Sequence, residues 1–184
     1  MPSKFSGGLA VLLMLSAVPV LPAAAQEIIP GWTSGPPGDA TMDKGRRFDC
    51  AGIACPPQGL SCLHAAAPHT KGQRVVPTSD LLRPKGMPWK EIEAWLAQKL
   101  VMLKPDLAGT VDPKTWTVRE KAKLSADRKY VDKRYDAGSA GEVPLALWMD
   151  EGAMNVVVCT TVADGAARID TLVRVLNKGE AAEE

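Results

Sequence analysis

The chain has 184 residues, with 22 Lys and Arg against 21 Asp and Glu and a formal charge of +1. That length suits one domain with a real core rather than two. The neutral balance excludes a general nucleic-acid binder, which carries a strong positive excess.

Residues 1–25 have the three parts of a secretory signal. Lys4 supplies the positive end, Leu9 to Leu21 form an apolar run broken by Ser16 and Pro19, and Ala23-Ala24-Ala25 offer a cleavage site before Gln26. The run is shorter than the roughly 20 apolar residues of a membrane span, and no later stretch is long and apolar enough to cross a bilayer. The expectation is an exported protein, periplasmic or secreted after cleavage near Ala25-Gln26. Cleavage there removes Lys4 and no acid, leaving basic and acidic side chains equal in number.

Residues 26–45 form an extended Pro/Gly-rich segment, with Pro30, Gly31, Gly35, Pro36, Pro37 and Gly38 giving turn chemistry. Trp32 within it is expected to latch onto the domain. A single α+β domain is expected over 46–179, followed by a disordered tail at 180–184.

Phe48 to Cys50 and Leu60 to Ala65 read as short strands flanking a turn-rich loop, and Arg74 to Val76 as a brief strand. Pro88 opens a helix in PWKEIEAWLAQKLVMLK, where a missing N–H costs nothing in the first turn. Ile92, Trp95, Leu96, Leu100 and Leu103 recur at helical spacing, and Pro105 ends the run. In TWTVREKAKL the period becomes two: Trp116, Val118, Ala122 and Leu124 alternate with polar residues, and Glu120 breaks the pattern once. Lys129 to Tyr135, Val143 to Met149 and Met154 to Thr161 follow as strands. The last is β-branched and almost uncharged, as befits the sheet centre. Ile169, Leu172, Val173 and Leu176 mark a final helix from about Ala166. The fold class expected is α+β: an antiparallel sheet of about four to six strands with two main helices, stapled by disulfides.

The runs KYVDKRYDAG, PLALWMDEG and MNVVVCTTVADGAARID resemble the end of the PsbP/Mog1-like small α+β domains, where a strand hairpin is followed by a strand leading into a final helix. The likeness covers about residues 115–178 and rests on element order and turn placement. It implies a binding or assembly role rather than catalysis, with no catalytic residues to carry over.

Cys50, Cys55, Cys62 and Cys159 all follow the leader, and in an oxidising compartment four such cysteines form disulfides by default. Three pairings are possible. Cys50 with Cys62 would leave Cys55 to reach Cys159. Cys50 with Cys55 closes a small loop and lets Cys62 anchor the front hairpin to the central strand through Cys159. The second scheme is preferred, because it ties the least regular segment to the core.

The competing reading is a metal-handling protein using Cys50, Cys55, Cys62 and His64, with His69 and Met42 nearby. Thiolate and imidazole suit zinc or copper(I), but the spacing lacks the paired C-x2-C of recognisable zinc sites. The cysteines do not open a helix as C-x-x-C, and no G-x-S-x-G elbow, H-E-x-x-H helix or Gly-rich phosphate loop appears. No catalytic residue, metal or cofactor is therefore assigned, and an enzyme is retained only as one whose motif is not recognisable.

Residues 114–134 carry eight basic and three acidic side chains. Arg119, Lys121 and Lys123 share one strand face in this reading. They are either a solvated outer face whose lysines discourage edge pairing or a docking surface for an acidic protein, anionic lipid head groups or a polyanion. Trp32, Met87 and Trp89 are candidates for a small apolar groove, with core packing as the alternative. The function expected is an exported, non-enzymatic binding or accessory protein that docks partly through the basic sheet face.

Overall fold

The structure, a computed structural model, describes residues 26–35, 45–53, 55–57, 59–68, 77–83, 87–150, 152–160 and 165–178. The proposed leader (1–25), the strand expected at 74–76, Met42, His69 and the tail at 180–184 lie outside these residues.

Among the described residues, eight antiparallel strands form one sheet in the order β1-β2-β3-β4-β8-β7-β6-β5. They are β1 (Gln26–Ile29), β2 (Trp32–Gly35), β3 (Arg46–Cys50), β4 (Ser61–Pro68), β5 (Thr117–Leu124), β6 (Val131–Asp136), β7 (Glu142–Met149) and β8 (Ala153–Cys159). Among the described residues there are two α-helices, α1 (Trp89–Leu103) and α2 (Ala166–Lys178). The α+β class with disulfides holds, but the sheet is wider than four to six strands. The difference comes from the Pro/Gly-rich segment, whose two four-residue strands pair around Pro30-Gly31 and then onto β3. Proline fixes the first central position of such a turn, and Gly31, at φ 81°, supplies the left-handed second. The sheet thus includes Gln26–Ile29 and Trp32–Gly35, ahead of residue 46.

Each face of the sheet carries one helix. Ile92, Leu96, Leu100 and Leu103 of α1 pack on Leu63, Val131, Val143, Leu145, Leu147, Val156 and Val158. Ile169, Leu172 and Val173 of α2 pack on the alternate positions of the same strands, Cys62, Ala146, Trp148, Val157 and Cys159, together with Trp32 and Phe48. Strands covered on both sides lose the polar alternation of half-exposed strands. This is why PLALWM and NVVVC are almost wholly apolar and almost wholly buried. Burying each large aliphatic or aromatic side chain contributes roughly 1.5–3 kcal/mol.

α1 begins where Pro88 stands at the N-cap, and its last turn closes with Lys104 N–H on the Leu100 carbonyl before Pro105 starts a short 3-10 turn. Trp32 is fully buried beneath α2. Met87 and Trp89 pack with the α1 cluster instead, so the groove considered for Trp32, Met87 and Trp89 does not form: the sheet separates them.

Candidate functional site

The cysteines form two bridges, Cys50–Cys55 and Cys62–Cys159. Cys62 and Cys159 are direct partners in the β4–β8 ladder, and the bridge is fully buried under α2. Cys50–Cys55 closes a loop at the end of β3. Sulfurs bonded to one another have no thiolate to give, so the Cys50, Cys55, Cys62 and His64 metal cluster is not assembled. Among the described residues no group of three or more His, Cys, Asp or Glu side chains could hold a metal ion, and no helix is long and apolar enough to cross a membrane.

His64 serves the sheet instead. Its ring stacks on Trp148, with centroids 5.6 Å apart and planes 4° from parallel. Nε2 lies 3.0 Å from Asn155 Oδ1, while Asn155 Nδ2 donates to Asp150 Oδ2. Because the Asn155 oxygen accepts, the neutral ring carries its proton on Nε2. Burial pushes the imidazole below its ordinary pKa, opposed by the Asn155 hydrogen bond and aided by the Arg46 charge.

β5 is an edge strand, and two register irregularities in its ladder to β6, between Val118 and Glu120 and between Glu120 and Lys123, interrupt simple alternation. Such bulges twist an edge and blunt it against further pairing. They also explain why Glu120 sits where alternation called for an apolar residue: it faces Arg134 across the ladder. The three residues expected as a basic face end up in different surroundings. Arg119 Nη1 lies 2.8 Å from Glu142 Oε2, and Lys123 Nζ lies 2.6 Å from Glu120 Oε2. Lys121 is exposed. Arg134 contacts Glu142, Glu120 and Asp132 at 3.3–3.8 Å. Three cations thus interleave with three carboxylates, and the surface is a mixed-charge lattice rather than a uniformly positive one.

Beside this lattice runs a groove of about 310 Å³ between α2 and the β5–β7 strands, at the small end of the ligand-pocket range of roughly 300–1,000 Å³. Pro144, Ala146, Ile169 and Val173 give it an apolar lining, and Lys123, Asp132, Arg134, Glu142, Asp170 and Arg174 its charges. Burial raises the Asp132 carboxyl above its ordinary pKa despite Arg134. One end is closed by a latch from α2 to the β5–β6 turn. The Tyr130 hydroxyl donates to Asp170 Oδ1, Arg174 Nε donates to Asp170 Oδ2 at 2.7 Å, and Arg174 Nη1 reaches Asp127. Burial works against the Asp170 charge, but Arg174 and Tyr130 hold its carboxyl below the ordinary value. Burial and the Asp170 partner push the Tyr130 phenol well above its usual range.

The groove was missed from sequence because its walls come from three separated stretches, 123–134, 142–146 and 166–174, that meet only once α2 lies across the sheet. Lys123 alone belonged to both the expected face and the groove. No family model, curated protein or solved structure matches the chain.

Proposed function

We propose that this chain is an exported, non-enzymatic accessory protein that docks onto a protein partner, with the groove beside α2 and the adjoining β5 edge as the docking site. The leader-like residues 1–25 and the two disulfides support export to an oxidising compartment. The observation that carries the docking reading is the groove itself. An apolar floor with alternating charges around it is the anatomy of a partner-binding surface, where an apolar anchor supplies affinity and rim charges set register and encounter rate.

Two of the groove's hydroxyl groups are already committed. Ser125 Oγ donates to Asp127 at 2.7 Å and accepts from the Lys129 and Tyr130 amides. The Tyr130 hydroxyl is committed to Asp170. These partners favour a binding role over proton transfer.

The test uses the full chain exported in its host, carrying a photo-crosslinking residue at Lys121. A single protein adduct is expected. Ala126→Trp, which plugs the groove from its exposed rim, and Lys123→Glu should each reduce it about tenfold or more. An adduct that both changes leave intact removes the docking site. Intact mass of the exported protein should correspond to a chain beginning at Gln26 and four hydrogens lighter than its reduced form.

A further inference from the structure

Every charge lining the groove but one has a close partner. Lys123 Nζ lies 2.6 Å from Glu120, Arg174 Nε 2.7 Å from Asp170, and Arg134 Nη1 3.3 Å from Glu142. Asp132 is the exception. Among the described residues its carboxylate has one ion-pair contact, Arg134 Nε at 3.8 Å, which is beyond hydrogen-bond reach. Its side chain is only 22% exposed. Burial raises its carboxyl above the ordinary pKa, and the Arg134 and Lys123 charges offset that only in part. An enclosed carboxylate without a close counter-charge carries a desolvation cost that the fold leaves uncompensated.

Strand geometry sets Asp132 in the groove. It shares a face of the β6 segment with Tyr130 and Arg134, while Val131 and Tyr135 pack with α1 on the other side. Across the ladder to β7 it stands opposite Ala146, whose small side chain leaves room beside the carboxylate. Pro144, Ile169 and Val173 extend the apolar lining. Across the ladder to β5 it stands opposite Lys123, whose ammonium is drawn away to Glu120. The groove thus joins apolar walls to one poorly neutralised anion.

Resting on the docking reading above, we infer that the groove receives a basic side chain of the partner protein, a lysine or arginine, with its aliphatic stem against Ala146, Ile169 and Val173 and its cation on Asp132. Charge complementarity selects this occupant. An acidic group would have to break the Lys123–Glu120 or Arg174–Asp170 pair. Arg134 Nη1 is held between Glu142 and Glu120, and its Nε is buried out of a ligand's reach. A wholly apolar anchor would finish the burial of Asp132 with no counter-charge. A cation on an apolar stem meets both the lining and the carboxylate. Lys123→Glu does not mimic this gain: it breaks the Lys123–Glu120 pair and sets a further carboxylate against Asp132 and Glu120, so its loss of binding reports the lattice and not the sign of the anchor.

The experiment uses the full exported chain with the photo-crosslinking residue at Lys121. Asp132→Asn should cut the protein adduct about tenfold or more, and Asp132→Glu, which keeps the charge, should retain more of it than Asp132→Asn. The urea midpoint of purified Asp132→Asn should equal or exceed that of the native chain, because the change removes a charge that burial disfavours. A midpoint that falls along with the adduct makes Asp132 a structural brace and overturns the inference. Peptide mass spectrometry of the adduct identifies the partner segment. It should contain a Lys or Arg whose replacement by Met lowers capture about tenfold. A segment with neither residue overturns the inference, and so does an adduct with lipid or with a second copy of this chain. Ala126→Trp keeps the two readings apart. Where it removes the adduct and Asp132→Asn does not, groove docking stands and the basic anchor falls. Where both changes leave the adduct intact, both readings fall.

Discussion

Cys62 and Cys159 are 97 residues apart in sequence yet stand opposite each other in adjacent strands, with Cα atoms 4.0 Å apart. Cys50 and Cys55 are separated by only 5 positions. A bridge restricts the unfolded chain more when it closes a longer loop. On chain-entropy grounds the long bridge contributes about 4.7 kcal/mol and the short one about 2 kcal/mol. The long bridge is also buried, so its removal leaves imperfectly filled space under α2.

The two double variants should therefore separate clearly. Cys62→Ala/Cys159→Ala is expected to lose about 4 kcal/mol or more in urea unfolding, and Cys50→Ser/Cys55→Ser about 2 kcal/mol. Equal losses would mean that the β4–β8 staple carries no special weight in joining the front strands to the back of the sheet.

Lys133 is a cation enclosed by aromatic rings. Its side chain is only 8% exposed, Nζ stands 4.1 Å from the Trp89 ring centre and 4.5 Å from that of Tyr135, and Glu93 lies 3.3 Å away. The cluster ties the first turns of α1 to β6. Lys133→Met keeps the unbranched apolar stem, one atom shorter, but removes the charge and the Glu93 ion pair. A loss of about 2–3 kcal/mol is expected. Adding Glu93→Gln should recover part of it, and a double-mutant cycle in urea measures the coupling. Strict additivity of the two changes would show that the rings alone hold the lysine.

Much of this architecture was legible from local pattern. The helical recurrence from Ile92 to Leu103 and the stripe from Ile169 to Leu176 became α1 and α2, and the alternation after Trp116 became β5. The β1–β2 hairpin was not legible as strands: with four residues on either side of Pro30-Gly31, turn signals outnumbered strand signals. The bulges of β5 were hidden for a different reason. Glu120 looked like one lapse in alternation, whereas a lapse in sequence and a slip in register read alike until the partner strand is known. Arg119 meets Glu142 from β7, a contact that depends on β6 lying between β5 and β7 in the sheet, which no spacing within either segment encodes.

His64 gives the fold a pH response near neutrality. Burial lowers its pKa in the folded chain, so the folded state binds a proton less readily than the unfolded one. Its contribution is fully present above the unfolded value of about 6.5 and is lost as pH falls below that toward the folded value. Unfolding free energy should decline from pH 7.5 to 5.5 in the native chain. His64→Gln, which retains a partner for Asn155, should flatten that decline. An unchanged slope would place the response on another group.

Asp170 responds in acid and tests the latch at the end of the groove. Arg174 and Tyr130 hold its folded pKa below the ordinary carboxylate value against the cost of burial. Its contribution is therefore present above the unfolded pKa of about 4 and lost as pH falls through the folded value. Asp170→Asn keeps the shape but weakens two charge-assisted bonds. At neutral pH it should cost about 1 kcal/mol, since solvent screens much of the interaction. Tyr130→Phe should also destabilise, because it removes one of the same bonds. At an acidic pH below its folded pKa the native Asp170 is itself protonated, so the difference between native and Asp170→Asn should shrink toward zero. Urea unfolding of both chains at the two pH values makes the comparison. A penalty that persists undiminished in acid would mean that the latch works by packing of α2 against the β5–β6 turn and not by the Asp170 charge.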